Sequence, residues 1–181
     1  MKRWLLVMLL AGGAAGCGGS KPEFVPEPFT YRESPPQVRV GIVRNADSAH
    51  VGCSEAFTLS DASGIRAIGR PGDVYQVSRV GQSLELTSPT GETLGRIGGD
   101  LRVIPDRRDA DVLVNGAAYP QRLQVRRSPT GGLNVINVVD LETYLKGVVT
   151  AEIGHETDEV AQAVEAQAVA ARTYVAGHIN Q

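Results

Sequence analysis

The chain has few of the residues from which disulfide frameworks and metal centres are built. Its 181 residues include two cysteines and three histidines. The histidines, His50, His155 and His178, are far apart and lack the spacing of metal ligands. The sequence also lacks a phosphate-binding glycine loop and a recognisable Ser/His/Asp set. It therefore predicts no metal site and no cofactor.

The sequence has no excess of basic residues. Lysine and arginine number 18 against 20 aspartates and glutamates, which gives a formal net charge of −2. This balance argues against nucleic acid as a partner. The apolar run at residues 4–10 is far shorter than the roughly 20 residues that a membrane-spanning helix needs. A spanning helix is therefore not predicted at the N-terminus.

The N-terminus instead has the pattern of a secretory signal peptide. Lys2 and Arg3 precede the apolar run, and small residues precede Cys17. The run Ala14-Ala15-Gly16-Cys17 resembles a bacterial lipobox, which predicts a lipoprotein signal at residues 1–16 and a lipid on Cys17. This resemblance implies a membrane anchor and a cell-envelope location on the extracytoplasmic side, at the outer membrane or the outer face of the plasma membrane. Ordinary cleavage beside an incidental cysteine is the alternative.

Residues 17–37 are rich in proline and show no apolar periodicity. Such a segment is typical of an extended tether between a membrane and a folded domain, and a recognition segment is the alternative. If Cys17 carries a lipid, Cys53 has no partner for a disulfide. Cys53 is then predicted to be a small buried apolar residue rather than a nucleophile.

Residues 38–139 carry the signals of short strands separated by turns. Seven segments have these signals: VRVGIV, AFTLSD, DVYQVSRV, SLELTS, DLRVIPD, DVLVNG and LQVRRS. The sequence Ser-Pro-Thr-Gly occurs at residues 88–91 and again at 128–131, and it suits a type I turn both times. Arg122, Arg126 and Arg127 lie near the second turn and could contact an anionic wall polymer, although a solvated strand face explains them more simply.

The last third of the chain changes to helical periodicity. A mostly β-branched run at residues 133–139 predicts a largely buried strand. Asp140 follows it and is placed to cap a helix. One apolar stripe then predicts that helix, with residues at i, i+3, i+4, i+7 and i+8: Leu141, Tyr144, Leu145, Val148 and Val149.

Glu152 falls almost directly above Leu141 on this helix at about 100° per residue. A carboxylate there is expected to be partly desolvated, which favours the protonated form that a general acid needs near neutral pH. In the alternative, the helix ends at Thr150 and Glu152 is a solvated loop residue or a cap. Glu142 lies about 280° round the helix from Glu152, so the two carboxylates do not share a face.

Gly154 is predicted to end the first helix. A second helix is predicted over residues 159–176, with Asp158 as its N-cap and Gly177 as its end. Its stripe is small and apolar except for one amide: Val160, Val164, Gln167, Ala168, Ala171 and Val175. An unpaired amide there would cost roughly 1–3 kcal/mol, so Gln167 is expected to bond the first helix or a bound sugar. Arg172 and Tyr174 flank the stripe. Buried packing with one satisfied polar group is the simpler alternative to ligand contact.

Two segments of this stretch, in order, carry a family pattern. Residues 142–153 read ETYLKGVVTAEI and residues 166–174 read AQAVAARTY. They resemble the YLxGVVxxEM-P element and the AQAVAARTYA helix of the SpoIID/LytB domain family, with Ile153-Gly154 standing where the family has Met-Pro. The family includes the sporulation protein SpoIID and the amidase enhancer LytB. The family domain continues past its second helix, so the resemblance implies that this domain is incomplete at its C-terminus.

The resemblance implies a function for the domain at residues 38–181. SpoIID is a lytic transglycosylase that cleaves peptidoglycan glycan strands, and its catalytic glutamate corresponds by position to Glu152. One carboxylate would protonate the glycosidic oxygen and then take a proton from the sugar's own hydroxyl as an anhydro ring closes. Gln167, Arg172 and Tyr174 would contact the glycan.

Two alternatives to glycan cleavage remain open. The first is a LytB-like enhancer that binds the wall or an amidase without cleaving glycan, and the second is a structural envelope lipoprotein. In each case the predicted fold is α+β, with a β-rich body of short strands followed by two packed helices.

Overall fold

The computed structural model describes residues 36–153 and 161–179, which form twelve strands and two helices. The strands are β1 (Gln37–Ala46), β2 (Ser48–Cys53), β3 (Phe57–Asp61), β4 (Gly64–Gly69), β5 (Val74–Val80), β6 (Ser83–Thr87), β7 (Thr93–Ile97), β8 (Leu101–Pro105), β9 (Asp111–Val114), β10 (Ala117–Pro120), β11 (Arg122–Arg127) and β12 (Leu133–Asp140). The helices are α1 (Leu141–Ile153) and α2 (Ala161–His178). The predicted α+β class is confirmed.

Several predictions fall outside the described residues. They concern the signal peptide at residues 1–16, the lipid on Cys17, the tether through residue 35, the helix end at Gly154 and the cap at Asp158. These stay predictions from the sequence.

The strands form two antiparallel sheets. Sheet A has the order β1-β12-β11-β8-β3-β4 and sheet B has the order β10-β9-β2-β5-β6-β7. Buried side chains from both sheets form one hydrophobic core, in which Cys53 is fully buried as predicted. Phe57 of sheet A meets Tyr75 of sheet B edge to face, with ring centroids 5.9 Å apart and planes at 87°. The two sheets therefore pack face to face as a β-sandwich.

Strand β12 connects the sandwich to the helices. It lies inside sheet A, paired with β1 on one side and β11 on the other. Its pairing with β1 runs from Gln37 opposite Asp140 to Ala46 opposite Leu133. Because α1 starts at the next residue, the end of sheet A sets the point from which the helix leaves the body.

Both Ser-Pro-Thr-Gly segments form the predicted turns. The N–H of Gly91 donates to the carbonyl of Ser88 at 3.0 Å, and the N–H of Gly131 donates to the carbonyl of Ser128 at 3.4 Å. These are the i to i+3 hydrogen bonds of a β-turn. The second turn is also tied to β1, because the hydroxyls of Ser128 and Thr130 both donate to the side-chain oxygen of Asn45.

All seven predicted strand segments and the predicted strand at residues 133–139 are confirmed, but β2, β4, β7 and β10 were not predicted. Three of these four, β4, β7 and β10, lie at the edges of the described sheets. Their sequences contain glycine, alanine or proline, which have low strand propensity. Pairing with a neighbouring strand makes them strands, and local sequence alone does not show that pairing.

The helices pack on each other, and α1 also contacts β12 and β1. The predicted end of α2 at Ala176 is wrong, because the helix runs through Gly177 to His178. Gly177 therefore has helical backbone angles instead of the left-handed conformation of a C-cap. A glycine inside a helix is less favourable than an alanine there by about 1 kcal/mol. Neither α1 nor α2 is long and apolar enough to span a membrane.

Candidate active site

Asp140 caps α1 as predicted. Its carboxylate accepts hydrogen bonds from the backbone N–H of Thr143 at 2.8 Å and from the Thr143 hydroxyl at 3.0 Å. Gln121 clamps the same residue, because its amide N–H donates to the carboxylate and its carbonyl oxygen accepts the Asp140 N–H at 3.0 Å. The N–H of Leu141 donates to the carbonyl of Pro36 at 2.9 Å. These bonds fix the direction in which α1 leaves sheet A.

The ionisation of Asp140 is coupled to this cap. Burial raises the pKa of Asp140, but hydrogen bonds from Thr143 and Gln121, together with nearby Arg108, outweigh burial and hold the pKa below its ordinary value of 3.8. The folded-state pKa is thus lower than the unfolded one. The carboxylate therefore stabilises the fold above the unfolded pKa, and this contribution is lost as the pH falls through the folded pKa.

We expect Asp140→Ala to lower the free energy of unfolding by about 1 kcal/mol at pH 7, because the helix loses its cap. The loss should shrink well below pH 3.8, where the native carboxyl is itself protonated. Urea denaturation at pH 7 and at the lowest pH at which the wild-type chain stays folded measures both effects. Asp140→Asn is the matched control, since an amide oxygen still caps but does not ionise, and it should cost less at pH 7. An equal loss at both pH values for Asp140→Ala would contradict this account.

The apolar stripe of α1 lies against the body as predicted. Leu141, Leu145 and Val149 are buried, and Tyr144 and Val148 are half-buried. The first three are spaced by four residues, which places them on one face of the helix. This face holds α1 on sheet A and α2.

Glu152 lies in the last turn of α1 and its side chain is exposed. The expected partial desolvation is therefore wrong. The alternative is right that Glu152 is solvated, but it is wrong that the helix ends at Thr150, because α1 continues to Ile153. Glu152 lies about 16 Å further along the helix axis than Leu141. The three residues after Val149 are all exposed: Thr150, Ala151 and Glu152. The buried part of the apolar stripe therefore ends at Val149, one turn before the carboxylate.

Among the described residues, Glu152 has one hydrogen-bond partner, and it comes from the other helix. The side-chain amide of Gln167, which is half-buried on α2, donates a hydrogen bond to the Glu152 carboxylate. The prediction that Gln167 bonds the first helix is thereby confirmed. The rest of the predicted α2 stripe among the described residues is also half-buried: Val164, Ala168, Ala171 and Val175.

A second tie joins the helices at the opposite end of α1. The Arg172 guanidinium donates two hydrogen bonds to the Glu142 carboxylate, at 2.7 and 3.2 Å. Both side chains are about half exposed, at 47% and 56%. A bidentate pair in this setting is screened by water and mainly fixes geometry. The hydrogen bonds that Arg172 donates to Glu142, together with the negative charge of Glu142, raise the pKa of Arg172 above its ordinary value.

Tyr174 is placed away from the Glu152–Gln167 pair. It follows Gln167 by seven residues, about 10 Å along the helix. Its ring is 68% exposed and stacks on His178, with centroids 4.4 Å apart. Together with Gln37 and Arg39 of β1, these two residues line a cavity of about 370 Å³. The structure therefore brings Glu152 and Gln167 together, and it places Arg172 and Tyr174 further along α2.

Sequence reasoning missed the residues that position the helix pair. Gln121 was not singled out, although it clamps Asp140 and has a positive φ of 67°. No local pattern marks it, because its partner lies 19 positions along the chain. Glu142 was considered only as a second acid, and its pairing with Arg172 gives it a structural role. Within residues 36–153 and 161–179, no group of three or more metal-ligating side chains is assembled.

Comparison with protein families identifies a match for the C-terminal part of the sequence. The family model described as SpoIID, stage II sporulation protein, matches residues 129–181, which include β12, α1 and α2. The predicted resemblance to the SpoIID family is confirmed for this part of the chain. It indicates a sporulation-type function related to the cell wall. Searches of curated proteins and of solved structures gave no match.

Proposed function

We propose that this protein is an envelope lipoprotein, anchored through Cys17, that cleaves the glycan strands of peptidoglycan as a lytic transglycosylase. The observation that supports this proposal is the position of Glu152. It lies within the SpoIID match, in the last turn of α1, where its side chain is exposed and Gln167 donates to its carboxylate. Substrate therefore has access to an oriented acidic group.

In the proposed reaction Glu152 acts twice. It first protonates the oxygen of the glycosidic bond, so that the bond to the leaving sugar breaks. The resulting carboxylate then accepts the proton of the hydroxyl of the cleaved sugar, as that oxygen closes an anhydro ring. No water is consumed and the carboxyl group is regenerated. The Gln167 amide would hold the ionised form in place between the two steps.

This scheme uses one carboxylate, whereas glycosidases usually use two. The other described acid of α1, Glu142, is engaged by Arg172 and so is not a free partner for Glu152. Exposed Tyr174 would offer an apolar ring face to a sugar, and Arg172 would donate to its hydroxyls. These two residues would extend glycan contact along α2.

A second function is favoured by one observation. An acid that donates a proton near neutral pH is usually desolvated, and Glu152 is exposed. The chain would then be a non-catalytic protein of the enhancer type, which binds the wall or a cell-wall amidase through the helix pair. In this role the Glu152–Gln167 bond would serve only to join α1 and α2.

Product analysis separates the two functions. The purified chain is incubated with glycan strands stripped of their peptides, and the products are analysed by mass spectrometry. Strands ending in anhydro-muramic acid support the transglycosylase. Reducing ends would indicate a hydrolase and contradict the proposed ring closure. Binding to the strands without cleavage would support the enhancer-type function.

A further inference from the structure

The outer face of sheet A carries arginines at neighbouring register positions. Arg39 of β1 and Arg122 of β11 both lie opposite Val138 of β12. They are thus two strand spacings apart, or about 10 Å. Arg102 of β8 lies opposite Gln124 of β11. Gln124 follows Arg122 by two residues, so both point to the same face of the sheet. Three cations therefore surround one small area of the sheet.

These arginines line a cavity of about 350 Å³ on that face. Its other side chains are neutral, with amides from Gln37 and Gln124 and apolar groups from Ile104 and Val138. No carboxylate is among the described residues that line it, and the nearby Asp100 accepts a hydrogen bond from the Gln124 amide. Within the described ranges Arg39 and Arg102 have no ion-pair partner, and Arg122 donates only to the neutral side chain of Gln37. The cavity is therefore complementary to an anionic ligand.

The basic face is continuous with the helix pair. Arg39 also lines the cavity that contains Tyr174 and His178 of α2, and a third cavity of about 430 Å³ that contains Arg44 and Arg126. Arg126 has a nearby acid, Asp100, at 4.0 Å, so the charge there is partly balanced. The unbalanced charge is concentrated at Arg39 and Arg102, beside the surface proposed to bind glycan.

We propose that this cavity binds the carboxylates of the peptide stems that branch from peptidoglycan glycan strands. The proposal rests on the proposed wall function and adds a second contact to it. Carboxylates two to three residues apart on an extended peptide are about 7–10 Å apart, which fits the spacing of Arg39 and Arg122. The Gln37 amide N–H and the Gln124 carbonyl oxygen, which are not used in the bonds to Arg122 and Asp100, can bond peptide groups, and Ile104 and Val138 can contact small alkyl side chains.

The same features disfavour nucleic acid as the ligand. The formal charge of the whole chain is −2, whereas nucleic-acid-binding domains are usually basic. None of the described residues that line the cavity is aromatic, so they offer no ring on which a base could stack. A short acidic peptide uses both the cations and the neutral groups of this site.

The test compares two forms of one polymer. Binding is measured by cosedimentation with peptidoglycan that keeps its stems and with the same material stripped by an amidase. The full chain carries Glu152→Gln throughout, so that cleavage does not affect the result. We expect tighter binding to stem-bearing material. Arg102→Gln should weaken that binding about tenfold or more and leave binding to stripped strands unchanged, because Arg102 lines this cavity and not the one that contains Tyr174.

Arg96→Gln is the matched control, because Arg96 is exposed on β7 of sheet B and its loss changes the net charge alike. Equal affinity for both materials, without the arginine substitution, would overturn the proposal. An equally large loss of stem-dependent binding in the Arg96→Gln control would also overturn it. Displacement of stems by short polyphosphate or duplex DNA at equal charge concentration would show a general polyanion surface and also overturn it. Absence of cleavage by the wild-type chain in the product analysis, with stem-dependent binding retained in this assay, would reject the transglycosylase alone.

Discussion

Replacing Glu152 with glutamine is expected to lower the rate of anhydro-muramic end formation by about 10²–10⁴-fold, the usual contribution of a general acid or base. Glutamine is nearly the same size and can still accept the hydrogen bond from Gln167, but it cannot transfer a proton in either step. The measurement is a time course on peptide-stripped strands at pH 7, with the new ends counted by mass spectrometry.

Two further variants make that experiment decisive. Glu165→Gln removes one negative charge from an exposed position on α2 and should leave the rate within about twofold. Glu142→Gln weakens the bidentate pair with Arg172 and should give an intermediate loss, because the helix pair is held less firmly. A Glu152→Gln chain that is folded and cleaves at the wild-type rate would exclude Glu152 as the acid.

The largest loss of stability is expected at Phe57. Its side chain is fully buried, meets Tyr75 of the opposite sheet edge to face, and lies against Gly69 across the β3–β4 pair. Phe57→Ala removes these contacts and leaves a cavity between the sheets. We expect a loss of about 3–5 kcal/mol in the free energy of unfolding. This is a large fraction of the stability of an ordinary domain.

Urea denaturation at pH 7 measures this loss, and Ile68→Ala is the control. Ile68 lies on β4 next to Gly69 and is 69% exposed, so its truncation should change the free energy of unfolding by less than about 0.5 kcal/mol. A cost below about 1 kcal/mol for Phe57→Ala would mean that Phe57 does not hold the two sheets together.

The parts of the fold that could be predicted from the sequence are those with local causes. Asp140 caps α1 because an aspartate precedes an apolar helical stripe, and the Ser-Pro-Thr-Gly turns form because their residues suit the turn. The pairing of Gln167 with α1 also had a local signal, an amide in an apolar stripe. In each case a short window of sequence contained the physical reason.

What could not be predicted depends on contacts between distant segments. The exposure of Glu152 depends on how far along α1 the neighbouring elements reach, and helical periodicity gives only the direction of a side chain. The basic face combines Arg39, Arg102 and Arg122, which come together only through the register of β1, β12, β11 and β8. The sequence singled out Arg122 alone from this group, and a solvated strand face was the simpler interpretation.

The pairing of β1 with β12 has a consequence for the time at which the protein can fold. The two strands are about 90–100 positions apart, so the edge of sheet A stays open until β12 has been made. At a synthesis rate of about 5–20 residues per second, β1 waits roughly 5–20 s for its partner. During this interval its backbone N–H and C=O groups are free to pair with another chain. The synthesis of β12, the strand that leads into α1, thus ends the period in which β1 is most exposed to aggregation.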